Sequence, residues 1–173
     1  MKPIPSPLKL IDFAVLRMDY DFFPPDENTH PQQYFARYEL DLDFDVVKND
    51  ILHIIMSVDI NVNDSPLPGY KISAKVASLF KLEDSPNMTT EQRNSIEGFS
   101  TIYIALNNLR GIISSFTSSG PFGRYILPSI DLNDLIQKKR KSVKKESNEE
   151  IEQEQPRKRI VRAKKTVKEM KHK

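Results

Sequence analysis

The alternation of apolar and polar side chains changes period once along this chain, and the change separates strands from helices. From Leu10 the even positions Ala14, Leu16, Met18, Tyr20 and Phe22 are apolar or aromatic, while Arg17, Asp19 and Asp21 take odd ones. That is the period of a half-buried strand. A second run sets Tyr34, Ala36, Tyr38, Leu40, Leu42, Phe44 and Val46 against Phe35, Arg37, Glu39, Asp41, Asp43 and Asp45. Lys48, Asn49 and Asp50 supply turn chemistry before a third run, Leu52, Ile54, Met56, Val58, Ile60 and Val62. Beyond the turn-forming residues 63–69, a fourth run places Ile72, Ala74, Val76, Phe80 and Leu82 opposite Lys71, Ser73, Lys75 and Lys81. The short connections between the second, third and fourth runs predict an antiparallel meander, since parallel strands need long crossovers. The first run is followed by the long connection 23–33, which places it at an edge of the sheet.

One apolar sheet face needs a cover. Thr89 with Gln92 three residues on has the form of a capping box, and Glu91 suits a first helical turn. Gly98 predicts a break or kink. Apolar residues then recur at Phe99, Ile102, Tyr103, Leu106, Leu109, Ile113 and Phe116, the spacing of one helical face. Gly120 and Pro121 end this helix. The apolar connector 122–130 follows, and Asp131 is placed to cap a second helix through Leu132, Leu135 and Ile136. The predicted fold class is α+β: a four-stranded antiparallel sheet with one face covered by a long helix, plus a short C-terminal helix.

Charge divides the chain a second way. Residues 1–137 hold 11 Lys and Arg against 18 Asp and Glu, and residues 138–173 hold 15 against 6. The expected organisation is therefore an acidic α+β domain over 1–137 and a basic tail over 138–173, disordered or partly helical. The tail clusters Lys138, Lys139, Arg140 and Lys141, then Arg157, Lys158 and Arg159. They suit phosphate contacts, a nuclear-import patch or simple solubilisation. The tail has no Phe, Tyr or Trp, so nucleic-acid binding through it would be weak, sequence-blind and salt-dependent. The carboxylate row of the second run is either a solvated sheet face or a surface for a basic partner.

Composition narrows the chemistry. The 173 residues include no Cys, and the three His are scattered, so no metal site and no cofactor are expected. Nothing sets two carboxylates in a cleft that would split their pKa values, and the expectation is a chain that is not an enzyme. Charged residues interrupt the N-terminal apolar stretch, and no uncharged stretch approaches the roughly 18 residues of a membrane span. A soluble cytoplasmic protein with no membrane span is expected.

Four strands, a long helix and the segment Leu109-Arg110, Gly120, Phe122, Leu127-Pro128-Ser129-Ile130, Asp131-Leu132 together resemble the SecB family of protein-export chaperones over about residues 8 to 137. The chain departs from that pattern at Phe122-Gly123, where the family has Phe-Pro, and in its long basic tail; it is closer to the divergent SecB-like branch, some of whose members chaperone antitoxins. The resemblance implies an ATP-independent holdase, assembled as a dimer of dimers, that keeps unfolded preproteins or antitoxin clients from aggregating. Phe22, Phe23, Phe122, Tyr125, Ile126 and Leu127 would line its client groove. Asp19, Asp21, Glu39, Asp41, Asp43 and Asp45 would meet a basic partner, in the family the SecA motor. The alternative function is a nucleic-acid or ribosome adaptor working through the basic tail.

Overall fold

The computed structural model describes residues 2, 5–25, 30, 32–83, 86 and 88–143. Arg157, Lys158 and Arg159 lie outside the described residues. The chain separates into two compact units, Met1–Ile130 and Asp131–Lys173. The first contains β1 (Leu8–Phe23), the short α1 (Gln32–Phe35), β2 (Leu40–Lys48), β3 (Leu52–Ile60), β4 (Gly69–Leu82), α2 (Thr90–Ser95), a π turn (Ile96–Ser100) and α3 (Thr101–Thr117). All four strands pair antiparallel in the order β1-β4-β3-β2. The predicted α+β class and meander hold, and β1 is an edge strand.

The strict alternation on β3 and β4 buries Ile54, Met56, Val58 and Ile60 beside Ile72, Val76 and Phe80. Over this face lies α3, which packs on β3 and β4 through Ile102, Leu106, Leu109 and Ile113, each at most 2% exposed. The capping box forms as expected: the Thr89 hydroxyl accepts from the Gln92 amide at 3.2 Å, and the Gln92 side chain accepts from the Thr89 amide at 3.0 Å. Where Gly98 predicts a break, the helix widens by one π turn and continues. That extra residue per turn rotates Phe99 away from the core. Phe99, Tyr103 and Phe116, expected on the buried stripe, flank it and are 41%, 50% and 48% exposed.

Two further expectations are corrected. The residues Tyr34 to Tyr38 alternate in sequence yet form α1 and a turn, so the second strand starts at Leu40. Tertiary contacts override the alternation, because Tyr38 and Phe35 are drawn into ring contacts beneath the sheet end. On β1 the parity also breaks. Ile11 and Leu16 are skipped in the pairing with β4, two bulges that each move the following side chains to the other face. Leu10, Phe13, Val15, Met18, Tyr20 and Phe22 therefore share the face of Phe80, Ser78, Val76, Ala74, Ile72 and Tyr70, and Leu16 is 54% exposed.

The second unit includes a helix over 132–143, here α4. Asp131 caps it as predicted, its carboxylate accepting from the amides of Asn133 at 2.9 Å and Asp134 at 3.2 Å. Lys138 pairs with Asp134 at 2.7 Å, a hydrogen bond that raises the exposed ammonium's pKa, and Lys141 is solvated.

Gly69 shows how tightly the sheet end is built. Its φ is +114°, and a Cβ there would fall on the Tyr38 hydroxyl. Gly69→Ala combines backbone strain with that overlap and should cost at least about 2 kcal/mol, read as a lower urea midpoint at unchanged slope.

Candidate functional site

The aromatic end of the sheet begins with Asn61, which leaves β3 in the left-handed conformation at φ 58°. Asparagine tolerates that conformation and carries a side chain able to replace backbone partners. Its amide donates to the carbonyls of Leu67 at 2.8 Å and Tyr70 at 2.9 Å, and its carbonyl accepts from the Leu67 amide at 2.9 Å. The loop thus delivers Tyr70 to the start of β4. The Tyr70 backbone amide donates to the Tyr38 hydroxyl at 2.9 Å, which donates onward to the Pro68 carbonyl at 3.0 Å.

The Tyr70 side chain reaches the turn after α3. Its hydroxyl donates to the Gly123 carbonyl at 2.9 Å and accepts from the Phe122 amide at 3.1 Å. Gly120 leaves room for it, since a Cβ there would lie 2.5 Å from that hydroxyl. Thr117 adds a second tie, donating to the Ile113 carbonyl at 2.8 Å and accepting from the Tyr125 amide at 2.9 Å. Eight rings connect around these bonds: Tyr20, Phe22, Phe35, Tyr38, Tyr70, Phe116, Phe122 and Tyr125.

The six aromatic and aliphatic residues expected to line one groove fall into four places. Phe22 and Phe122 meet at 4.4 Å, the first 37% exposed and the second half-buried. Ile126 is 66% exposed on the extended connector. Tyr125 and Leu127 alternate with it inward and are core residues, 1% and 2% exposed, so they are corrected from groove wall to support. Phe23 pairs with Gly69 on the opposite sheet face and is half-buried. Phe122 therefore presents a ring beside Phe22, while Tyr125 anchors the connector from below.

A second apolar surface lies along β1, which the helix leaves partly uncovered. Leu10 and Val15 lie on the core-side face of β1, yet each is 44% exposed. With half-buried Phe13 and Met18 they form a strip along the edge strand, and Tyr20 joins the strip to Phe116 at 5.4 Å. The sequence signal is the density of apolar residues from Leu8 to Leu16, too high for an alternating strand.

The acidic residues do not form one patch. Asp19 and Asp21 stand on β1, and Asp41, Asp43 and Asp45 on β2, at opposite edges of the sheet with β4 and β3 between them. The lysines of β4 thus neighbour β1 and β3, not the β2 row. Arg17 pairs with Asp19, and Asp59 accepts from Ser73 at 2.6 Å. Glu39 precedes β2 and accepts from the Asn63 side chain at 3.1 Å. An open hollow of about 370 Å³ lies beside Glu39, Asp41 and Asp59. No group of three potential metal ligands occurs among the described residues. No helix among them is long and apolar enough to cross a membrane.

No protein-family model matches the chain, and no curated protein matches it. The solved structures that match it include the following two. One is a SecB-like chaperone from Mycobacterium tuberculosis in complex with a ChAD peptide from the HigA1 antitoxin, at 12% identity and a TM-score of 0.49, covering 72% of this chain and 88% of that one. The other is a protein of unknown function from Streptococcus agalactiae, at 9% identity and a TM-score of 0.37, covering 71% of this chain and 97% of that one. At these TM-scores neither likeness bears on what this chain does.

Two outcomes follow from the aromatic end. Tyr70→Phe strands the Gly123 carbonyl and the Phe122 amide, and should cost about 1–3 kcal/mol in urea unfolding. Burial raises the pKa of Tyr125 from 10.0 to about 12, and desolvation also raises Tyr38 and Tyr70. The unfolded chain then loses these protons first, so stability is full below pH 10 and falls as pH rises toward about 12. Urea midpoints measured across that window should decline, and less steeply for Tyr125→Phe.

Proposed function

We propose that this protein is an ATP-independent holdase chaperone that binds unfolded polypeptides on its exposed aromatic and aliphatic surface. The observation that carries the reading is the Phe22–Phe122 ring pair, with Phe22 left 37% exposed, beside further exposed apolar side chains at Phe116 and Ile126. Large rings at the surface, backed by Tyr70 and Tyr125, bind apolar chain without requiring a defined sequence. Each square ångström of apolar surface removed from water contributes about 25 cal/mol, so an extended client gains affinity from many small contacts. Several such surfaces in one homo-oligomer, a dimer of dimers, would add avidity. The clients are preproteins on their way to export or antitoxins. The exposed aspartates of β2 would meet a basic partner such as the SecA motor, an encounter that salt weakens. Such clients and partners are met in the cytoplasm, where the protein would act.

The test is light scattering from a chemically unfolded model client diluted with and without the purified chain, no nucleotide present. Suppressed aggregation is expected. The double variant Phe22→Ser with Phe122→Ser should lose at least half of it while keeping the wild-type circular dichroism spectrum. Undiminished suppression by that variant would move the client surface elsewhere. A chain lacking 138–173 should suppress as well as the full one; loss of activity on that deletion would favour the tail as the working part.

A further inference from the structure

The helix α4 changes character at Gln137. Before it the helix is amphipathic, with Leu132 7% exposed and Leu135 and Ile136 half-buried. Beyond it Lys138, Arg140, Lys141, Ser142 and Val143 are exposed. The C-terminal end of a helix favours positive charge, yet like charges three residues apart, such as Lys138 and Lys141, repel one another. Lys144 and Lys145 follow in the sequence, so six of the eight residues 138–145 are cations.

A tail that solubilises its domain adds to the net charge. This one removes it. Residues 1–130 hold 11 Lys and Arg against 16 Asp and Glu, net −5, and residues 131–173 hold 15 against 8, net +7, which leaves the whole chain at +2. A membrane surface is a poor match as well, because residues 138–173 contain no Leu, Phe, Trp or Tyr to enter the headgroup region. A polyanion with dense, regular charge satisfies the cluster without apolar contact, and a nucleic-acid duplex carries one phosphate charge per about 1.7 Å of its axis.

We infer that the basic end of α4, with the cations that follow it, binds the phosphate backbone of a nucleic-acid duplex without reading its sequence. On α4 the contacts come from Lys138, Arg140 and Lys141. The arginine fork can span two oxygens of one phosphate, and the lysines act as point charges. Lys138 is held by Asp134 in an exposed pair that is exchanged at little cost. Phosphate contacts carry no base information. Without Phe, Tyr or Trp in 138–173 there is no ring on which the bases of a single strand could stack, so the duplex is preferred. This goes beyond the holdase reading and does not rest on it, since α4 belongs to the second unit and the aromatic end to the first.

The test is fluorescence anisotropy of labelled DNA and RNA duplexes titrated with the full chain at about 50 and about 200 mM salt. Engagement of about six phosphates predicts a loss of affinity of about 10³-fold over that range. DNA and RNA duplexes, and duplexes of different sequence, should bind within about threefold of each other, and single strands more weakly. Combining Lys138→Ala, Arg140→Ala and Lys141→Ala keeps a good helix former at each position. That variant should bind the duplex at least about tenfold more weakly at low salt and show a salt slope smaller by about 3. Arginine at 138 and 141 should retain binding. No binding at about 50 mM salt, a slope near zero, or binding unchanged by the triple substitution would overturn the inference. So would tighter binding to poly-glutamate or to phosphatidylserine vesicles than to the duplex, which would assign the cations to an acidic protein or to a membrane. Aggregation suppression by the same triple variant should equal that of the wild type. A chain that binds duplex but suppresses no aggregation would leave this inference standing and overturn the holdase reading alone.

Discussion

An α-helix with its side chains is about 10–12 Å wide, whereas four strands about 4.8 Å apart span roughly 19 Å. One helix therefore cannot cover this sheet. Here α3 is seated over β3 and β4, where alternation is strict and side chains reach near-zero exposure. The core-side face of β1 is left half-covered as a result. The strip from Leu10 to Met18 and the rings on the flanks of α3 are direct consequences of this mismatch of widths.

At one end of the sheet the same shortage of cover is met differently. The helix stops at Thr117, and the connector turns back over the end of the sheet. Apolar packing alone would not define the path of such a segment. Tyr70 supplies direction, because a buried hydroxyl and the backbone groups of Phe122 and Gly123 each need a partner. Asn61 and Tyr38 position Tyr70 in turn by satisfying the loop before it. A chain of polar bonds inside an aromatic cluster thus holds Phe122 against Phe22 while Tyr125 stays buried. The position of the surface rings is fixed by these bonds and contacts.

Electrostatics has a lesser part. The acidic residues of β1 and β2 stand on opposite edges of the sheet, so no single strongly negative face arises. The charges on the outer face of β1 are of both signs instead. At exposed positions such pairs contribute little to the stability of one chain.

The sequence by itself determined β3 and β4, whose period runs without interruption, and the two helix caps at Thr89 and Asp131. Their side-chain pattern and local hydrogen bonds point the same way, so no distant contact was needed to identify them. It also carried the antiparallel meander and the edge position of β1, since short connections leave few alternatives. Only the tertiary structure decided where alternation stops meaning strand. Tyr34 to Tyr38 became a helix and turn because Phe35 and Tyr38 are held by rings distant in sequence, and β1 changed face twice because bulges follow from pairing with β4. Tyr125 and Leu127 were legible as apolar but not as buried, because which side of an extended connector faces inward depends on the Tyr70 and Thr117 bonds that fix it. The exposed strip was hidden for the same reason: apolar residues on a strand announce a need for cover, and only the position of the helix tells which of them receive it.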